Sequence, residues 1–368
     1  MTIHERHIER QDISPADDGT VGKSSSLERH NWSTFLVALT VVTLVPIFYM
    51  PLAASVTTDV RSLVLLTGVF TFLGGQAHVG ATYYFFADKT VREFFLAQKT
   101  RYIIVPSVLV FGTGILFAIN IPALSSFALL FYFIWQTFHY QRQNYGILSF
   151  ISSAKKEGRP ADWETIAIDL AAIAGILGMI HLMRLLDGTF LEAFSEFVFL
   201  CGKNLYIVVA LGTVAALAVS REDLIKGKAP GILHISCLLM SVGFFLPTFI
   251  FDSVQGAIMG YALAHGLQYF VFMYFVSAKN SAQTGGKPII TMVFIAFGIG
   301  MLMTMMEDQS LLALVRPLRW QPQIADGVFG MYLGLVMSHF VIDAGIWRLR
   351  ERFQREYIGS AFAFVFNH

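Results

Sequence analysis

Charged residues are scarce in this sequence: Asp, Glu, Lys and Arg make up 14% of its 368 residues, against about 25% in a typical soluble domain. The deficit is concentrated in long uncharged runs of about 20 residues, the length that crosses a bilayer, and it excludes a soluble globular chain. Cysteine is scarcer still. Cys201 and Cys237 are far apart and belong to no CxxC or Cys/His spacing, so they read as inert membrane cysteines and not as a disulfide, a redox pair or a thiolate zinc site. A net charge of +1, with the basic residues dispersed, leaves nucleic acid without an electrostatic footprint. No cleavable signal peptide is visible at the polar N-terminus. Nucleotide-binding glycine loops, a Ser/His/Asp series and an HExxH helix are missing. The HxxxH and HxxHH boxes of membrane desaturases are missing too, which argues against a di-iron desaturase. No internal repeat emerges.

What is present is apolar. Hydrophobic residues form 55% of the chain and the mean hydropathy is +0.61. Apolar runs between charges predict ten spans, at 33–57, 61–88, 101–119, 122–150, 164–185, 204–220, 230–251, 254–278, 287–306 and 324–349. The expected fold class is therefore all-α, a polytopic integral membrane helical bundle with about ten transmembrane helices. Residues 1–32 read as a disordered cytoplasmic tail, 33–349 as the transmembrane domain and 350–368 as a basic cytoplasmic segment. Asn120-Ile121-Pro122 and Phe251-Asp252-Ser253 read as tight helical hairpins. The outside links Asp187 to Lys203 and Glu307 to Gln323 are longer, and Thr189 to Phe194 suggests a helix lying on the outer surface.

Lysine and arginine orient the bundle. Twenty of them fall in the tail, the alternate links and the C-terminal segment, and five on the opposite side, leaving Arg142 inside a span. This predicts both termini in the cytoplasm, N-in and C-in, of what reads as a bacterial inner membrane.

Ionisable side chains inside a bilayer are costly and need an explanation. His78, His139, His265 and His339 fall in the second, fourth, eighth and tenth spans, ten to thirteen residues from their cytoplasmic ends. That places all four roughly 15–20 Å above those ends, within the hydrocarbon layer. A lone histidine in a membrane helix is most often hydrogen-bonded to a neighbouring helix. Four at one depth instead suggest convergence on a metal, since imidazole ligates iron, zinc and copper.

Polar neighbours accompany them. Gln136, Tyr140 and Gln143 form one stripe on the fourth span, and Arg142 lies one turn after His139. Gln268 is close to one turn after His265. Asp343, four residues after His339, reads either as the carboxylate that orients this imidazole or as a ligand itself. The depths of Arg142 and Asp343 permit an ion pair, while Arg142 is equally suited to snorkel to the interface or to meet Asp169. His234 reads as the rim of a site or as an interface residue, and His181 lies away from the cluster.

From Trp135 to Gly146, and at the single histidines of other spans, the chain resembles the Brp/Blh-like family of polytopic membrane β-carotene 15,15′-dioxygenases. The likeness is at motif level over about a third of the chain. It implies a histidine-ligated iron, with His78, His139, His265 and His339 as its ligands. The family carries two histidines one turn apart near its C-terminal end, where this chain has His339 and Asp343.

The leading expectation is a metal-dependent membrane enzyme, a non-haem iron oxygenase of a carotenoid or other lipophilic small molecule. Its cofactor would be a metal ion, Fe2+ ahead of zinc or haem, and its partners the lipid bilayer and that substrate. Arg142, Gln143, Tyr140 and Asp343 would serve the chemistry, with Gln136 and Gln268 beside the cofactor. Two alternatives stay open: a transporter using the histidines and an Arg142/Asp343 pair as a relay, and a haem-binding electron carrier.

Overall fold

The computed structural model describes residues 21–56, 59–154, 159–187, 191–219, 231–284, 287–308 and 322–366. Most of the expected N-terminal tail and much of the link after Glu307 lie outside the described residues. In lipid, backbone N–H and C=O groups need partners within the chain, which helices supply locally. Among the described residues all regular structure is helical, with no strand.

In chain order the helices are α1 (Val21–Val56), α2 (Val60–Thr71), α3 (His78–Thr82), α4 (Tyr84–Ala87), α5 (Lys89–Ala97), α6 (Val105–Ile119), α7 (Pro122–Ala154) and α8 (Asp162–Leu182). They continue as α9 (Ser195–Val219), α10 (Ile232–Gly243), α11 (Val254–Thr284), α12 (Pro288–Glu307), α13 (Pro322–Ile346), α14 (Arg352–Tyr357) and α15 (Ala363–Phe366). Among the described residues, seven helical stretches are long and apolar enough to cross a membrane: Trp32–Tyr49, Thr100–Ile119, Asp162–Leu182, Glu192–Val219, Ile232–Phe249, Pro288–Glu307 and Gln323–Ile346. The long helices α7 and α11, of 33 and 31 residues, fall outside that set. Polar side chains at their centres, Gln136 to Asn144 and His265 to Gln268, lower their hydropathy, and these two helices carry His139 and His265.

The two short hairpins are as expected. Asn120 ends α6 in the left-handed region (φ 55°), a conformation asparagine tolerates, and Pro122 opens α7. One link differs. Of the surface helix expected over Thr189 to Phe194, the described residues Glu192–Phe194 form a single 3₁₀ turn that runs directly into α9. Helix α9 thus starts before Lys203, because charged residues at a membrane boundary do not end a helix.

Small residues set the close crossings. Thr113 Oγ1 of α6 donates to the Gly330 carbonyl of α13 at 2.7 Å. A Cβ on Gly334 would stand 2.5 Å from Val110 Cα. Between Thr71 and His78 the helix widens into a π turn, Phe72–Ala77, a distortion common at functional sites. Gly74 in this turn lies against Leu263, and a Cβ on Gly266 would come 2.8 Å from Gly74 Cα. The backbones of the His78 and His265 segments therefore touch. The basic C-terminal segment folds back as a cap: Phe362 is buried against Phe35 of α1, with ring centroids 5.8 Å apart, and Tyr357 Oη donates to Asp88 at 2.9 Å.

Candidate metal centre

The four histidines expected to converge do so. His78 enters from the start of α3, directly after the π turn, His139 from α7, His265 from α11 and His339 from α13. Their rings form a closed circuit. The centroids are 4.8 Å apart for His78 and His265, 5.0 Å for His265 and His139, 5.0 Å for His139 and His339, and 4.9 Å for His339 and His78. All four contacts are edge-to-face, with interplanar angles between 74° and 89°.

These separations, which lie in the range of ordinary packed rings, are also compatible with ligation. A metal–nitrogen bond of about 2.0–2.1 Å puts each ring centroid about 3.2 Å from the ion, so adjacent ligand rings stand about 4.5–5.2 Å apart. The hydrogen-bonding pattern agrees. Nε2 of each of the four histidines is buried without a hydrogen-bond partner. His78 is 3% exposed and His265 and His339 are 0% exposed, so bulk water does not reach these atoms. Leaving one buried polar atom unpaired costs about 1–3 kcal/mol. Nδ1 of His78 and of His265 is unpartnered as well, so the four adjoining rings carry six free nitrogen atoms that could hold a metal ion. One ligand atom from each of His78, His265 and His339 lies within 4.8 Å of the others, and the same holds for His139, His339 and Asp343. A neutral nitrogen donor set of this kind fits a first-row transition metal. Haem fits poorly: a planar macrocycle has to lie between its axial imidazoles, and here each ring touches two others edge to face.

Behind His339 stands a second tier. Its Nδ1 lies 2.6 Å from Thr82 Oγ1, and the Thr82 hydroxyl donates to Asp343 Oδ1 at 3.3 Å. Tyr269 Oη donates to the same carboxylate oxygen at 3.0 Å and lies 2.7 Å from Thr82 Oγ1. Asp343 Oδ2 approaches His339 Nδ1 at 3.5 Å. The carboxylate thus sits on the Nδ1 side of the ring, away from the unpartnered Nε2. Read toward the carboxylate, Nδ1–H donates to Thr82 and Thr82 to Asp343, an arrangement that leaves the Nε2 lone pair free.

Sequence reasoning missed Thr82 and Tyr269, although a signal was there. Each histidine is followed four residues later by a polar side chain: Thr82 after His78, Gln143 after His139, Tyr269 after His265 and Asp343 after His339. One turn separates the two tiers on every helix.

The other expected residues divide. The Tyr140 ring lies 4.3 Å from that of His265, and Gln136 Nε2 donates to Tyr140 Oη at 2.8 Å. These two adjoin the histidines. Gln143 donates to the His265 carbonyl at 2.9 Å and to Gln268 Oε1 at 2.8 Å, and Gln268 donates to Thr43 Oγ1 at 2.9 Å. Their amides tie α7, α11 and α1 together. Of the partners open to Arg142, the structure takes Asp169 and not Asp343. Its guanidinium binds Asp169 at 2.8 Å and lies over the Phe138 ring at 4.7 Å. It is half-exposed on the flank of α7, about 60° round the helix from His139, where it meets α8 and not the histidines. The relay alternative built on Arg142 and Asp343 loses its pair.

His234 also lies elsewhere, with Nε2 2.7 Å from Glu164 Oε1 and Nδ1 2.9 Å from Ser152 Oγ. His181 meets Ser195 Oγ at 3.0 Å. Comparison with protein families, curated proteins and solved structures finds no match to this chain.

Proposed function

We propose that this chain is a polytopic enzyme of the bacterial cytoplasmic membrane, of ten spans with both termini cytoplasmic, that oxygenates a lipophilic polyene at a single histidine-bound ferrous ion. The observation that carries the reading is the set of four buried Nε2 atoms without partners on rings 4.8–5.0 Å apart. The charge bias of the links supports the orientation. Helices α7 and α11 and the stretch from Val60 to Ala87 supply the three spans beyond the seven apolar ones, their polar centres explaining their low hydropathy.

His78, His139, His265 and His339 hold the ion, and iron at such a site supplies activation of O₂ at an open coordination position. The rest is work for the chain. Thr82, Tyr269 and Asp343 fix the orientation and tautomer of His339. Tyr140, held by Gln136, forms a wall beside His265. Gln143 and Gln268 keep the histidine-bearing helices in register. His139 is the one ring of the four that is partly exposed, and it stacks on Phe340 with centroids 4.4 Å apart. The apolar surface beside it includes the exposed Phe131 and Phe138, which suits lateral approach of an apolar chain from the bilayer.

The test is oxygen uptake by protein loaded with ferrous iron in the presence of carotenoids and other polyene lipids. The reading predicts uptake that depends on both iron and a polyene, with an oxygenated product. Iron-loaded, folded protein that consumes no oxygen with any polyene contradicts it.

A further inference from the structure

A second polar site lies at the end of the bundle where α6 passes into α7 and where α12 ends and α13 begins. It is a cavity of about 680 Å³ lined by Phe117, Asn120, Ser125, Glu307, Asp308, Asp326 and Phe329. Three of its residues are carboxylates, and no basic side chain lines it among the described residues. Acidic residues alone identify nothing, but a second feature stands directly behind the Glu307 wall. Gln76, 1% exposed, donates its amide N–H to Glu307 Oε2, which leaves Gln76 Oε1 buried without a partner beside the cavity's innermost carboxylate. Gln76 belongs to the π turn that delivers His78, two residues away. Glu307 also hydrogen-bonds Tyr332, and Tyr332 hydrogen-bonds Tyr132. Tyr132, Gln136 and Tyr140 then follow one another at single-turn spacing on one face of α7, ending at the His265 ring. From the cavity, two lines of polar groups thus lead to the histidines, one through Gln76 and one along α7.

We propose that this cavity is the antechamber through which a hydrated divalent cation reaches the histidine centre, with Glu307 and Asp326 as its capture carboxylates and Gln76 Oε1 as the first neutral oxygen of the passage. Carboxylate and amide oxygens take a cation with its waters, and a site lined by one sign of charge raises capture rates. The imidazoles below then take it as the final ligands. In the orientation proposed above, the mouth opens on the non-cytoplasmic face. This inference rests on the metal-centre reading.

The experiment is stopped-flow loading of metal-free full-length protein with Co2+ alone, followed by the visible absorption of the histidine-bound ion. Wild type, Glu307→Gln, Asp326→Asn and His339→Ala are compared. Asp326, at the partly exposed rim, keeps the test usable if Glu307→Gln folds poorly. The proposal predicts that both carboxylate variants reach the wild-type final Co2+ ratio but load about tenfold more slowly, with a weaker dependence on salt. His339→Ala should lose the absorption itself. Wild-type loading rates in both carboxylate variants, with His339→Ala still defective, overturn the antechamber while leaving the metal centre standing. Absence of Co2+ binding by wild type overturns both.

Discussion

Thr82 and His339 meet at 2.6 Å, Oγ1 to Nδ1, across 257 residues of sequence. This contact, with Asp343 behind it, decides which nitrogen of His339 faces the other three rings. Orientation by an outer hydrogen bond makes an imidazole a better ligand than the ring alone. Thr82→Val and Asp343→Asn, both close to isosteric, should each weaken metal binding about 10–100-fold while the protein remains folded. Competition against a chelator of known affinity measures this. Unchanged affinity in both variants would remove the second tier from the account.

The backbone crossing at Gly74 and Gly266 places His78 against His265. Overpacking there forces the helices apart, since the nearest atoms to a new Cβ are backbone. Gly266→Val should cost about 1–3 kcal/mol or more and lower metal occupancy in the protein that still folds. Gly75→Ala is the control, with nothing within 4 Å of its new Cβ. Thermal unfolding in detergent, with metal content read on the monodisperse fraction, separates the two. Equal behaviour of both variants would show that the crossing does not position the rings.

Arg142 is three residues from His139 yet serves another place. Its ion pair with Asp169 is about 40% exposed on the arginine side, and such pairs are worth about 0–1 kcal/mol. Arg142→Ala should therefore leave metal stoichiometry at the wild-type value and shift the unfolding midpoint only slightly. Loss of metal in a folded Arg142→Ala protein would return this residue to the centre.

Much of this arrangement is legible in the sequence, for physical reasons. Helices have a fixed rise and charge marks the ends of apolar runs, so counting residues brings His78, His139, His265 and His339 to one level, and their rings do adjoin. Asp343 is legible because four residues is one helical turn, and the same rule applies to Thr82 and Tyr269, which look like ordinary span residues until their helices are assembled. Partner choice across helices is not legible. Arg142 had two carboxylates at compatible depth, Asp169 and Asp343, and the rotation of α7 selects between them. Nor does composition announce the π turn before His78 or the folding back of Phe362 onto Phe35. Both depend on packing between segments distant in the chain.

The central claim is that four histidines hold one metal ion, and the most direct measurement is the metal-to-protein ratio of purified full-length protein beside His78→Ala, His139→Ala, His265→Ala and His339→Ala. The account predicts about one equivalent of a non-haem transition metal in the wild-type protein, and its loss in each variant that remains folded. Full metal retention in the variants, or folded wild-type protein that takes up no metal when it is supplied, would contradict it.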